Sequence, residues 1–239
     1  MPERPPDPDI IACLRDPELF GGLPQFRDLS TWRAWIVVLK AIFGLPLDDD
    51  ELVIYQRHSQ RAEAPADEMD EAALICGRRS GKSMIAALIA VYLALIPDWR
   101  EHLAPGETAT IAVIGQNQRA AVRALFGYVR GMVQGVPALR REVTAERSDE
   151  LIFGKRRTAI AVWPSTHRSV RGLTLAGVVC DEIDHWWQGD SPNAAAEVIA
   201  SVRPALVSLP GSKLIAISSP YTTTGWLYQF HKAHWAGAA

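Results

Sequence analysis

Hydrophobic and polar positions change rhythm near residue 72. Ahead of that point, STWRAWIVVLKAIF (30–43) sets a Ser/Thr cap candidate before apolar residues at helical spacing, which predicts a helix. The acidic run DDDE (48–51) suits the start of a second, shorter helix, and RAEAPADEMDE (61–71) reads as an exposed loop. Residues 1–9, with Pro2, Pro5, Pro6 and Pro8, read as an extended or disordered arm. From Ala72 onward short apolar runs alternate with amphipathic stretches, the pattern of a sheet covered by helices on both faces. The predicted strands are Ala73–Cys76, Thr110–Ile114, Ala159–Trp163, Val178–Cys180 and Leu214–Ser218, with helices over 82–95, 116–134 and 193–207. ELIFGKRRTAIAVW (150–163) predicts a hairpin turning on GKRR. The expectation is an N-terminal arm and helical lead-in (1–71) packed on an α/β core (72–239).

Composition narrows the classes. A chain of 239 residues with 48% apolar and 22% charged residues is ordinary globular material for one large domain. A net charge of −2, from 25 basic and 27 acidic residues, supplies no global field for nucleic acid, so any such binding must come from a local patch. Cys13, Cys76 and Cys180 form no C-x-x-C pair, which argues against a zinc site or disulfide framework and suits a reducing compartment. The proline-rich, acidic start and the lack of a span-length apolar run lead to the expectation of a soluble cytoplasmic protein with no membrane partner.

Two segments carry candidate chemistry. In LICGRRSGKSM (74–84) an apolar strand breaks into glycines and arginines and closes on Gly81, Lys82 and Ser83 before a long helical run. That is the setting of a phosphate loop, G-x-x-x-x-G-K-[ST], although Cys76 stands at the first glycine position. Across Gly77, Arg78, Arg79, Ser80, Gly81, Lys82 and Ser83, the N–H groups from Arg78 onward would face a phosphate at the helix N-terminus. Gly81 allows close approach, Lys82 would reach the β- and γ-phosphates of ATP, and the Ser83 hydroxyl would ligate Mg²⁺. The structural alternative is a basic surface turn. In AGVVCDEIDHW (176–186) Asp181 and Glu182 end an apolar strand, where Asp181 can hold Mg²⁺ through a water and Glu182 can deprotonate the attacking water. Acidic residues also end strands as plain helix caps, and only the phosphate loop upstream lifts the pair above that. A Glu beside the magnesium Asp points to an ATPase with its own base, and the strand at 110–114 is expected between the two motif strands. Neither Asn117 nor Asn193 opens an N-K-x-D guanine-reading sequence.

GRRSGKS, STHRSVRGLTLAGVVCDEIDHW and LIAISSPYTTTGWLYQFHKAHW, in that order, resemble the N-terminal ATPase domain of the large terminase subunit of tailed bacteriophages, over most of the chain from about residue 50. The resemblance implies a three-layer P-loop NTPase of the additional-strand (ASCE) type, α/β with a mostly parallel sheet and helices on both faces. That family's phosphate loop commonly lacks the first glycine and carries an arginine where Arg78 stands here. It also implies that Arg171, before Gly172, is a finger reaching a neighbouring subunit's γ-phosphate, and that Ser218 and Ser219 in AISSP form the coupling motif. The implied work is packaging of double-stranded DNA into procapsids, in the host cytoplasm, by a ring of five subunits docked on a portal protein and served by a small terminase subunit. An isolated domain is expected to be monomeric, and the nuclease domain of that family is expected to be missing from this chain.

Other readings stay open beside this one. A DExx-type helicase or translocase shares the two motifs but usually needs a second motor lobe, and a nucleotide-gated binding module has little use for the base at Glu182. For Arg171 the plain alternative is a surface loop, and for Ser218 and Ser219 a turn. His231-x-x-His234 with Trp235 is read as an exposed helix face, Trp186 and Trp187 as packing anchors, and Lys155-Arg156-Arg157 as a solvated turn. No chemistry attaches to Gln116 or Gln118. Tyr55 and Gln56 are guesses at an adenine contact.

Overall fold

The computed structural model describes residues 7–117, 121–165, 172–186 and 194–237. Five adjacent parallel strands, starting at one edge, make up most of a seven-stranded sheet ordered β1-β7-β6-β2-β5-β4-β3. They are β1 (Glu71–Ile75), β2 (Ala109–Gly115), β5 (Thr158–Pro164), β6 (Thr174–Asp181) and β7 (Lys213–Ser218). The predicted hairpin is present, with β4 (Glu150–Phe153) antiparallel to β5 and the two-residue β3 (Ala145–Glu146) beyond it. β2 and β7 are buried along their whole length, as strands covered on both faces must be. The predicted strand positions hold, while the expected order does not. β7 lies between the strands carrying the two motifs, and β2 lies on the far side of β6. Uniformly apolar strands carry no mark of their neighbours, so the pattern that locates them leaves their order open.

Side chains alternate between two cores. Ile111 and Val113 of β2 and Ile215 and Ile217 of β7 face one cluster, whereas Ala112 and Ile114, and Leu214 and Ala216, face the other. The first core is built on α4 (Lys82–Leu95), whose sequence is apolar all round and which is buried almost throughout. Against it packs α5 (Gly127–Gly135), entered through a π-helical turn at Val122–Phe126 and followed by α6 (Pro137–Arg140). The second core lies under α7 (Ala194–Leu206) and Leu227 of α8 (Trp226–His234). Of the predicted helix over 116–134, Gln118 lies outside the described residues.

The N-terminal segment joins the first core. Asp9 caps a helix that the prolines concealed, α1 (Ile10–Arg15), by accepting from the Ile11 and Ala12 N–H groups at 2.8 Å each. Ile10, Leu14, Phe20 and Phe26 are buried with Leu39 and the α4 side chains. The expected helix over 30–43 starts later than its Ser/Thr signal: Asp28 caps a 3-10 turn (Leu29–Trp32), and α2 runs Arg33–Ile42. α3 (Asp49–Ser59) begins at the acidic run as expected, with a reciprocal capping box between Asp48 and Glu51. No helix of the described residues is long and apolar enough to cross a membrane.

Candidate active site

Parallel strands deliver their C-terminal ends to one rim of the sheet, where ligands of open α/β sheets bind. β1 ends at Ile75, and Cys76 continues its ladder by donating to Ser218 O at 2.9 Å. The chain then curls through Arg79 (φ 61°) and Gly81 (φ 84°) into the N-terminus of α4. Left-handed residues in such a turn aim successive N–H groups at one hollow. A side chain at Gly77 would meet nothing within 4 Å, so the backbone there is open to approach. Burial pushes the Cys76 thiol up to about 11, leaving a small neutral side chain where the motif has glycine. Ser83 is half-buried in the first turn of α4. Arg78 is exposed and makes no hydrogen bond or ion pair among the described residues.

Lys82 is buried, and its Nζ meets Glu182 Oε1 at 2.9 Å across the rim. Asp181, the last residue of β6, is 8% exposed, and its Oδ1 has no hydrogen-bond partner among the described residues. Burial, and then the charge of Glu182, push its carboxyl up to about 6. Glu182 adopts a left-handed conformation (φ 51°), which turns the chain off the strand. Its Oε2 accepts from Ser218 Oγ (3.2 Å), Ser219 N (3.0 Å) and Ser219 Oγ (3.1 Å). Burial opposes ionisation of Glu182, but the Ser219 donors and Lys82 outweigh it and hold the carboxyl below the usual range. The structure thus brings Ser218 and Ser219 onto the carboxylate of Glu182.

Several neighbours escaped the sequence. Trp35 Nε1 donates to Ser80 O at 2.7 Å, and a Cβ on Gly81 would stand 2.8 Å from the Trp32 ring, so the lead-in packs directly on the loop. Two tryptophans three apart in an apolar helix were the only available signal. Tyr55 is buried against Val37 and Ala41, and Gln56 Nε2 donates to Ala62 O at 2.7 Å, so neither is turned to the loop. Trp186 is buried and donates to Asp181 O at 2.9 Å, a packing anchor. Trp187 and Arg171 lie outside the described residues. Gly172 is described and turns the chain with a left-handed φ of 82°. The Lys155–Arg157 turn precedes β5, at the rim opposite the site, and Arg157 donates to Ala104 O and Glu107 O. His231 stacks on Trp235 at 4.6 Å and His234 on Phe230 at 4.4 Å.

No family model matches the sequence, and no curated protein matches it either. Among solved structures, the ATPase domain of the Thermus phage P74-26 large terminase aligns with a TM-score of 0.51 at 18% identity, over 84% of this chain and 75% of that one. The HK97 bacteriophage large terminase aligns at 0.48 and 18% identity, over 79% of this chain and 37% of that one. The large terminase of a thermophilic bacteriophage, in complex with ADP, aligns at 0.48 and 17% identity, over 67% of this chain and 36% of that one. The chain therefore spans little more than a third of the HK97 protein and of the ADP-bound terminase. It has the fold of the P74-26 ATPase domain, a mostly parallel sheet enclosed by helices.

Proposed function

We propose that this chain is the ATP-hydrolysing motor domain of a phage large terminase. The observation that supports it most is the convergence of Lys82, Asp181 and Glu182 at one rim, beside an approachable loop at a helix N-terminus. In this reading the N–H groups of Gly77–Ser83 cradle the phosphates, and Arg78 and Lys82 supply positive charge beside them. The buried, unpartnered Asp181 Oδ1 and the Ser83 hydroxyl are the hard oxygen donors Mg²⁺ prefers, and these residues would hold it. Bound there, Mg²⁺ supplies neutralisation of phosphate charge. Glu182, ionised at neutral pH, accepts a proton from the attacking water as the β–γ phosphoanhydride bond breaks. Phosphates that draw Lys82 away would leave Oε1 free for that water.

The DNA-packaging role extends the same reading: double-stranded DNA, a portal protein, a small terminase subunit, a ring of five and work in the host cytoplasm are its partners and setting. Arg171 is its finger in trans. A helicase lobe would share the chemistry, and a nucleotide-gated module would bind without sustained turnover. The test compares Lys82→Ala with Glu182→Gln, using a fluorescent ATP analogue for affinity and phosphate release for turnover, with portal and DNA present. Lys82→Ala should lose affinity, whereas Glu182→Gln should keep it and lose turnover by roughly 10²–10⁴-fold. Equal loss of affinity in both variants would remove Glu182 from the role of base, and wild-type protein that binds no analogue would end the ATPase reading.

A further inference from the structure

We propose that Asp184 is a positioning residue for hydrolysis: it fastens the loop after β7 to the turn that carries Glu182, and Gly225 is glycine because this fastening leaves no room for a side chain. The proposal rests on the ATPase reading for its catalytic consequence, though the fastening itself does not depend on it. Asp184 lies on the 3-10 turn Ile183–His185 and is 8% exposed. Its Oδ2 accepts from Tyr221 N at 2.5 Å and Thr222 N at 2.9 Å, and its own N–H donates to Ser218 Oγ at 3.2 Å. One residue thereby grips both ends of the Ser218–Thr222 segment. The same segment holds the donors of Ser218 and Ser219 that converge on Glu182 Oε2.

Three further features bear on the same contact. Asp184 Oδ1 is buried without a hydrogen-bond partner among the described residues, and a Cβ on Gly225 would stand 2.6 Å from it. Gly225 has φ −73° and ψ 171°, a conformation open to any residue, so close approach and not backbone geometry calls for glycine there. His185 stacks on Tyr221 at 4.7 Å and lies 3.4 Å from Ser219 Oγ, a second contact between the turn and the loop. Bonds to an ionised acceptor are about twice as strong as neutral ones, which suits a carboxylate as the anchor of two backbone N–H groups. Gly225 caps α8, so the fastened loop also fixes where that helix begins.

The test uses the whole chain and three variants, Asp184→Asn, Asp184→Ala and Gly225→Ala, each assayed for analogue affinity, turnover and amide exchange over 219–225. Asn keeps an acceptor oxygen, so turnover should rank wild type, then Asp184→Asn, then Asp184→Ala. The loss in Asp184→Ala should reach roughly 10–10²-fold while affinity changes less than about twofold, as for a misplaced catalytic group. Gly225→Ala, which leaves every hydrogen-bonding group in place, should lose turnover in the same manner. The Tyr221 and Thr222 amides should exchange roughly tenfold faster in Asp184→Ala. A purely structural role would instead lower affinity and turnover together. Wild-type turnover in Asp184→Ala, or unchanged exchange at Tyr221 and Thr222, overturns the proposal. If the wild type neither binds nor hydrolyses ATP, the ATPase reading fails, and exchange alone decides whether Asp184 is the anchor. Should Asp184→Ala not fold, Gly225→Ala and Asp184→Asn carry both readouts.

Discussion

Asp181 and Glu182 are adjacent in sequence and oppositely driven by their surroundings. Burial and the neighbouring Glu182 charge outweigh Lys82 and the Glu182 backbone N–H at Asp181, so its carboxyl rises from 3.8 to about 6, while the donors on Glu182 pull that carboxyl down. A raised acid favours the folded state when protonated. Its contribution to stability is present below 3.8 and is lost as pH rises through about 6, a swing of roughly 3 kcal/mol. A cation ligand must give up that proton. Mg²⁺-dependent affinity for an ATP analogue should therefore weaken by about tenfold from pH 7 to pH 5, where Asp181 binds its proton. Asp181→Asn should show neither the Mg²⁺ dependence nor that pH response, and should unfold at higher urea than wild type at neutral pH. Titration of analogue at several pH values checks the first point, and a flat wild-type profile would dismiss Asp181 as the metal ligand. The meeting of Lys82, Asp181 and Glu182 at one rim was legible because the loop after β1 and the end of β6 each carry a local motif. Asp184 was not, since its partners Tyr221 and Thr222 come from a distant loop.

At the scale of elements, the 3-10 turn that ends at Trp32 and the helix α2 that bears Trp35 reach a loop they precede by some distance in the chain. Apolar spacing foretold α2, and an acidic start foretold α3, because local propensity decides both. That Trp35 of α2 would rest on Ser80, and Trp32 just before it on Gly81, was out of reach, as was the insertion of β7 between β1 and β6. Both depend on which buried surfaces find each other. The contact makes the lead-in part of the loop's support. Trp35→Phe keeps the packing but removes the donor to Ser80 O, a bond worth about 0.5–1.5 kcal/mol, so analogue affinity should weaken by roughly two- to tenfold with turnover at saturation unchanged. Indole emission should also respond to nucleotide in the wild type and respond less in the variant. Unaltered affinity together with unaltered emission would show that α2 merely lies beside the loop.

For the whole molecule, the proposed mechanism draws base, lysine and metal donors from a single chain, while the proposed finger acts between chains. The order of the three motif segments was legible as a resemblance, and the fold agrees with it, but an assembly has no local sequence signal. Gly172 turns the chain through φ 82°, and a Cβ there would meet nothing within 4 Å, so the turn and not packing calls for glycine. A permanently charged, planar guanidinium just before such a turn suits charge developing on a transferred phosphoryl group, and fingers of this kind are worth about 10³–10⁵ in rate. If Arg171 acts in trans, the domain hydrolyses ATP poorly until subunits are held together. Arg171→Ala and Glu182→Gln subunits, each inactive alone, should then recover turnover when mixed under assembling conditions, because a Glu182→Gln subunit can lend its arginine to a neighbour whose base is intact. Arg171→Lys should not replace the arginine in this pairing, since an ammonium lacks the fork. Phosphate release from verified mixed rings measures the recovery. No recovery in such rings, or full activity in a strictly monomeric wild-type domain, returns Arg171 to an ordinary surface loop.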